Sequence, residues 1–228
     1  MPTLILLRHG ESMWNAADRF AGWTDVPLSD VGRKEAAACG ALLARTGLLP
    51  DVVHTSLLRR AISTAAIALD AADRHWIPVH RSWRLNERHY GALEGQSRED
   101  IRARFGDELF MAWRRSYDVA PPPRDREPDA RYRALGVDVP ASESLRDVLD
   151  RLLPHWESAI SDDLRADRTV LVVAHGNVLR ALISHLERIP SDAIRDIAVP
   201  TGEPLHYELG EGLLAAQASW DTTDFVSR

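Results

Sequence analysis

Cysteine occurs once in these 228 residues, at Cys39, and lysine once, at Lys34. A lone cysteine excludes a disulfide framework and a cysteine-rich zinc site. The lone lysine leaves 27 of the 28 basic residues as arginine, so any anionic ligand has to be met by guanidinium forks, which bind phosphate or carboxylate bidentately. Long apolar runs are missing as well. Runs such as Leu4 to Leu7 and Val170 to Ala174 are four or five residues long and fall far short of the roughly 18 residues that a membrane helix needs. Arg8 and His9 interrupt the first run too early for a signal peptide; a reducing cytoplasm and no membrane partner are expected. Basic charge is short too, at 28 against 34 acidic residues for a net −6, which opposes nucleic-acid binding.

Several catalytic signatures are also absent. There is no P-loop, His-Glu-x-x-His pair or EF-hand loop, so no metal is expected, and no Gly-x-Ser-x-Gly elbow. Gly210-Glu211-Gly212 and Ala215 mimic a dinucleotide fingerprint, but too few residues follow to build its βαβ unit.

What is present is 45% hydrophobic and 27% charged, the composition of one globular domain spanning 1–228. Apolar runs and helical periods alternate, which predicts an α/β fold with a mostly parallel central sheet and helices on both faces. Strands are expected at 3–8, 51–55 and 169–174, with 205–209 as an edge strand. Ser29 caps a helix to about Thr46, with Val31, Ala38 and Leu42 on its inner face and Gly47 closing it. A second helix carries Leu58, Ala61, Ile62, Ala65 and Leu69. One or two helices fill 97–116. Ser142 is expected to cap a long helix striped by Leu145, Leu149, Leu152, Trp156 and Ile160 and bent at Pro154; 178–186 is helical. The stretch 83–95 reads as a polar loop. The stretch 117–141 opens near three prolines and reads as a long surface loop, of the length found in lids. The tail from Gly212 reads as poorly ordered.

Two of these strands end alike. Thr3 to Leu7 runs into Arg8-His9-Gly10, and Thr169 to Ala174 runs into His175-Gly176-Asn177. In open α/β sheets the carboxyl ends of strands face the ligand crevice, so neighbouring strands would set His9 against His175. Glycine after each histidine permits a tight turn and close approach of a ligand. Two histidines among arginines suit phosphoryl transfer: a neutral imidazole attacks phosphorus, and nearby cations hold it neutral. His54, His75, His80, His155, His185 and His206 lack such context and read as structural or solvated, and Cys39 as a small core residue. Glu87 alone reads as an ion-pair partner of Arg84 or Arg88. Trp14 and Trp23 are placed to wall a pocket.

Arg8-His9-Gly10-Glu11-Ser12 with Asn15 resembles the phosphohistidine signature of the histidine phosphatase superfamily. The blocks 20–23, 55–61, 83–91, 113–117 and 174–177 resemble the 2,3-bisphosphoglycerate-dependent phosphoglycerate mutases, from Thr3 to about Leu209. The resemblance implies a metal-independent cytoplasmic isomerase of glycolysis and gluconeogenesis, primed by 2,3-bisphosphoglycerate, acting on small phosphoglycerates as a homodimer or homotetramer. It makes His9 the phosphoryl carrier and Glu87 the proton donor and acceptor. His175 stabilises the transition state, with Arg8, Asn15, Arg60 and Gly176 around the phosphate. Ser12, Ala21, Gly22, Arg88, Tyr90, Arg98, Arg114, Arg115 and Asn177 line the remaining substrate surface. Four departures stand out: Ala21 replaces a usual threonine, Arg98 a lysine and Val178 a serine, and both the proline-rich loop and the tail differ from the family pattern. Two other readings use the same residues: a phosphatase of the superfamily acting on a small phosphorylated acid, or a phospho-ligand binding protein without turnover.

Overall fold

In a computed structural model that describes residues 2–125, 127 and 129–219, six strands form one sheet in the order β3-β2-β4-β1-β5-β6. The strands are β1 (Thr3–Arg8), β2 (Val52–Thr55), β3 (Val79–Arg81), β4 (Val170–Ala174), β5 (Pro204–Leu209) and β6 (Ala215–Ser219). The helices are α1 (Met13–Ala16), α2 (Asp30–Thr46), α3 (Arg59–Ala71), α4 (Arg98–Arg115), α5 (Ala130–Ala134), α6 (Leu145–His155), α7 (Ser161–Arg165) and α8 (Gly176–Leu186). The first four strands of the order are parallel, while β5 pairs antiparallel with both β1 and β6.

Alternation along β1 builds both cores, because successive side chains point to opposite faces. Leu4 and Leu6 pack with Leu152, Leu179 and Leu182 of α6 and α8; Ile5 and Leu7 pack with Leu43, Ala65 and Leu69 of α2 and α3. Each such side chain contributes about 1.5–3 kcal/mol when fully buried.

Several local expectations are corrected. The inner face of α2 is Gly32, Ala36, Cys39, Gly40 and Leu43, while Val31 is half exposed. Counting apolar residues missed the phase because two of the facing positions are glycines. At Gly40 an added Cβ would lie 2.2 Å from the carbonyl oxygen of Ala68, so α2 and α3 approach backbone to backbone. The strand at 204–209 is not an edge: it lies between β1 and β6. Nor is the tail irregular from Gly212, since Ala215–Ser219 pairs with β5; residues 220–228 lie outside the described residues. Ser144, not Ser142, caps α6, in a reciprocal capping box with Asp147. Pro154 cannot donate its own helical hydrogen bond, and a π turn, Trp156–Ile160, follows it before α7. The 117–141 loop holds a short helix, α5, whose Tyr132 is buried.

Candidate active site

The parallel pairing of β1 with β4, Arg8 opposite Ala174, carries both strands to the same end of the sheet. The two histidines that follow meet there, ring centroids 4.9 Å apart and edge to face. Both are buried, at 3% and 0% exposure, and burial, followed by the Arg60 cation, holds both imidazoles well below the usual histidine range. They are therefore neutral near neutral pH.

A neutral imidazole has one N–H, and the surroundings fix where it lies on His9. Nδ1 is 2.7 Å from the carbonyl oxygen of Gly10, which can only accept. The proton sits on Nδ1, and Nε2 keeps its lone pair. Gly10 itself is required by packing: an added Cβ would lie 2.2 Å from the carbonyl oxygen of Gly32, at the start of α2. Its amide donates to Thr64 Oγ1, which donates to the carbonyl of Arg60. The His9 turn is thus tied to α3, the helix that brings Arg60.

His9 borders a cleft of about 630 Å³ open to solvent. Seven arginines line it (Arg8, Arg19, Arg60, Arg98, Arg114, Arg115 and Arg180) against one carboxylate, Glu87. A chain of net charge −6 so concentrates positive charge at one place, as an anion site requires. Arg60 is held by the carbonyls of Thr24 and Gly22, and Arg8 by that of Val199. After those bonds the Nε atoms of Arg8 and Arg60, and Nδ1 of His175, are buried with no hydrogen-bond partner. Unpaired buried polar atoms cost about 1–3 kcal/mol each; a phosphoryl group with its three oxygens meets the two guanidinium donors among them. Helix α8 starts at Gly176 in the lining, so its first amides add the partial positive charge of a helix N-terminus.

Glu87 is fixed from several sides. Its Oε1 accepts from the amides of Arg88 and Asn177 and from Asn177 Nδ2. Its carbonyl accepts from Trp23 Nε1 and from Arg151, which also holds the carbonyls of Arg84 and Asn86. Arg151 is in turn paired at 2.6 Å with buried Glu143, whose other oxygen takes the amide of His89. Neither Arg84 nor Arg88 forms the ion pair expected for Glu87 from sequence.

Of the residues expected to surround substrate, Arg8, His9, Asn15, Ala21, Gly22, Arg60, Glu87, Tyr90, Arg98, Arg114, Arg115, Gly176 and Asn177 line the cleft. Ser12, Arg88 and His175 lie behind it. Ser12 caps α1 and holds the side-chain oxygen of Asn15; Arg88, fully buried, bonds the carbonyls of Trp113 and Arg114 and stacks on Tyr90. Trp23 is a support, packed 4.8 Å from Tyr132, and Val178 is part of the core. None of the described residues of 117–141 lines the cleft; Tyr132 anchors that segment by accepting from Asn86 Nδ2. Arg98 pairs with Asp18 at the rim.

Two lining arginines escaped the sequence reading. Arg19 donates to the carbonyl of Gly95. Arg180 donates to the Asn177 side-chain oxygen and the Ile197 carbonyl, and burial pushes its guanidinium down to about 10. The signal for Arg180 was its place one turn after Gly176, on the face that α8 turns to the site. Among the described residues, no group of three or more His, Cys, Asp or Glu side chains is placed to hold a metal ion.

The sequence matches the histidine phosphatase superfamily, branch 1, over residues 4–219. A relative from Nocardia farcinica, a 2,3-bisphosphoglycerate-dependent phosphoglycerate mutase, is 59% identical over 92% of this chain and 88% of its own. One of the same name from Arthrobacter is 58% identical over 91% and 86%. Among solved structures, a mycobacterial glucosyl-3-phosphoglycerate phosphatase complexed with VO3 superposes with a TM-score of 0.75 at 26% identity, covering 97% of this chain and 98% of that one. The chain belongs to the histidine phosphatase superfamily and, within it, to the family of the 2,3-bisphosphoglycerate-dependent phosphoglycerate mutases.

Proposed function

We propose that this chain interconverts 3-phosphoglycerate and 2-phosphoglycerate, as an enzyme of glycolysis and gluconeogenesis, through a phosphohistidine on His9. The observation that carries the reading is the unprotonated Nε2 of His9 at a cleft lined by seven guanidinium groups. Nε2 of His9 attacks phosphorus and the P–O bond to the donor breaks. The substrate hydroxyl then attacks the phosphohistidine, giving 2,3-bisphosphoglycerate, whose other phosphate returns to Nε2. Arg8, Arg60 and the amide of Gly176 hold the transferring oxygens, which matters because phosphoryl transfer rests on alignment and charge stabilisation. Three N–H groups converge on Glu87 Oε1; this leaves Oε2 to take the hydroxyl proton and to return it. Arg98, Arg114 and Arg115 meet the second anionic end of the ligand.

The priming role of 2,3-bisphosphoglycerate, a homodimeric or homotetrameric assembly and a cytoplasmic location belong to this proposal. So does a lid function for 117–141, closing from its Tyr132 anchor to keep water from the phosphohistidine. Phosphorus NMR of a mixture started from 3-phosphoglycerate tests it: 2-phosphoglycerate should appear, and faster with a trace of bisphosphoglycerate. Inorganic phosphate accumulating ahead of 2-phosphoglycerate would establish the phosphatase reading instead.

A further inference from the structure

β2 lies beside β4, with Thr55 opposite Val173, so the residue after β2 and the residue after β4 end on neighbouring strands. Those residues are Ser56 and His175, and Ser56 Oγ lies 2.8 Å from His175 Nε2. Both side chains are fully buried. The amide of Leu58 donates to the same Oγ at 3.1 Å, filling one of its acceptor positions and turning the hydroxyl hydrogen elsewhere.

Two arrangements are possible for a neutral His175. With its proton on Nε2, that nitrogen donates to Ser56 and the hydroxyl hydrogen has no acceptor in a sealed site. Nδ1, which is buried without a partner, then presents a lone pair beside the oxygens of a transferring phosphoryl group. With the proton on Nδ1, the Ser56 hydroxyl donates to Nε2, the amide of Leu58 is accepted, and Nδ1–H is a free donor on a ring 4.9 Å from that of His9. Only the second arrangement pairs every buried group once a phosphoryl oxygen is bound, and an unpaired buried group costs free energy that the first cannot recover.

We propose that Ser56 is a positioning residue that sets the tautomer of His175, so that the Nδ1 hydrogen is aimed at the phosphoryl group carried by His9. The inference rests on the phosphoryl-transfer reading above for its consequence, but not for its main readout. Burial and the neighbouring Arg60 cation support it by keeping His175 neutral, the only state in which a tautomer exists.

Nitrogen-15 NMR of histidine-labelled protein at neutral pH reads the tautomer without any substrate. His175 should show a protonated Nδ1 and an unprotonated Nε2, and added inorganic phosphate should shift Nδ1 the more. A proton on Nε2 overturns the proposal. S56A should move the proton to Nε2 and lower kcat about 10²-fold, the effect of removing one donor to a transition-state oxyanion, with KM nearly unchanged. S56T, which keeps the hydroxyl, should restore both. An S56A protein whose proton stays on Nδ1 overturns the proposal whatever its activity. Since the wild-type spectrum needs no variant, misfolding of S56A leaves the test intact, and a phosphatase outcome in the preceding experiment leaves the tautomer result standing.

Discussion

Two groups of histidines hang on the same sheet and differ in what surrounds them. His9 and His175 stand past the ends of β1 and β4, among the guanidiniums of Arg8 and Arg60. His54 sits within β2, with its ring centroid 5.2 Å from that of His80 on β3 and 5.3 Å from that of His155 at the end of α6. Burial lowers the titration of His54 and His155, as it does for the first pair. In the second group a carboxylate, Asp163, bonds His54 Nε2 at 2.8 Å and opposes that shift. Burial alone therefore does not make a reactive imidazole. The first pair differs in having cations beside it, a helix N-terminus next to it and, at His9, a cleft before it.

The largest effect expected from this contrast is on His9. H9A removes the only atom that accepts the phosphoryl group, so incorporation of labelled phosphate from bisphosphoglycerate should vanish and kcat should fall more than about 10⁴-fold. H54A should still be labelled, at a rate within about twofold of the wild type. Labelling of H9A would remove the covalent route.

The carboxylates of the two groups form the next test. E87Q keeps the size of Glu87 but cannot take a proton, and kcat should fall about 10²–10⁴-fold, the usual yield of general acid–base catalysis. D163N leaves the site untouched. It should lower the urea-unfolding free energy by about 1–2 kcal/mol, through its bonds to His54 and Arg168. Equal losses of kcat in both variants would show that the second group is coupled to the first.

A smaller effect is expected at Arg180, which the sequence did not single out. Its Nη1 donates to the side-chain oxygen of Asn177, which turns the amide nitrogen toward Glu87 and Tyr90. R180Q keeps a donor but loses the charge and the second bond, and kcat/KM should fall about tenfold, or about 1.4 kcal/mol. An unchanged kcat/KM would mean that Asn177 holds its orientation without help.

The His9–His175 pair was legible because it follows two buried strands of plain pattern, and parallel strands of one sheet place their ends together. Arg60 was legible only through the family motif, since two arginines opening a helix ordinarily face solvent. Arg180, Arg19 and Ser56 were hidden because each acts through a backbone carbonyl or another side chain, and no local pattern encodes those partners. The same holds for the second histidine group: its members come from β2, β3 and α6, far apart in the chain. The misphased face of α2 has a different cause, glycine at facing positions, where closeness rather than apolar area carries the contact. β6 was missed because, among the described residues, it pairs only with β5, and five small or polar residues carry no strand signal of their own.

The smallest effect separates the two groups by pH. Burial pushes the His155 ring from 6.5 down to about 4. Above pH 6.5 the ring is neutral in the folded and unfolded chain alike, and it adds no pH dependence to stability. Between 6.5 and 4 the unfolded chain takes up a proton that the folded ring refuses, so stability falls as pH falls, and the loss levels off below 4. His54 and the active-site pair are shifted in the same direction, so H155Q should remove only part of the acid loss. Urea midpoints at pH 7 and pH 4.5 should lie closer together in H155Q than in the wild type, while the pH profiles of kcat superimpose. An identical midpoint difference in both proteins would mean that His155 titrates in the fold as it does in the unfolded chain. A displaced kcat profile would join the two groups into one titrating network and undo the contrast between them.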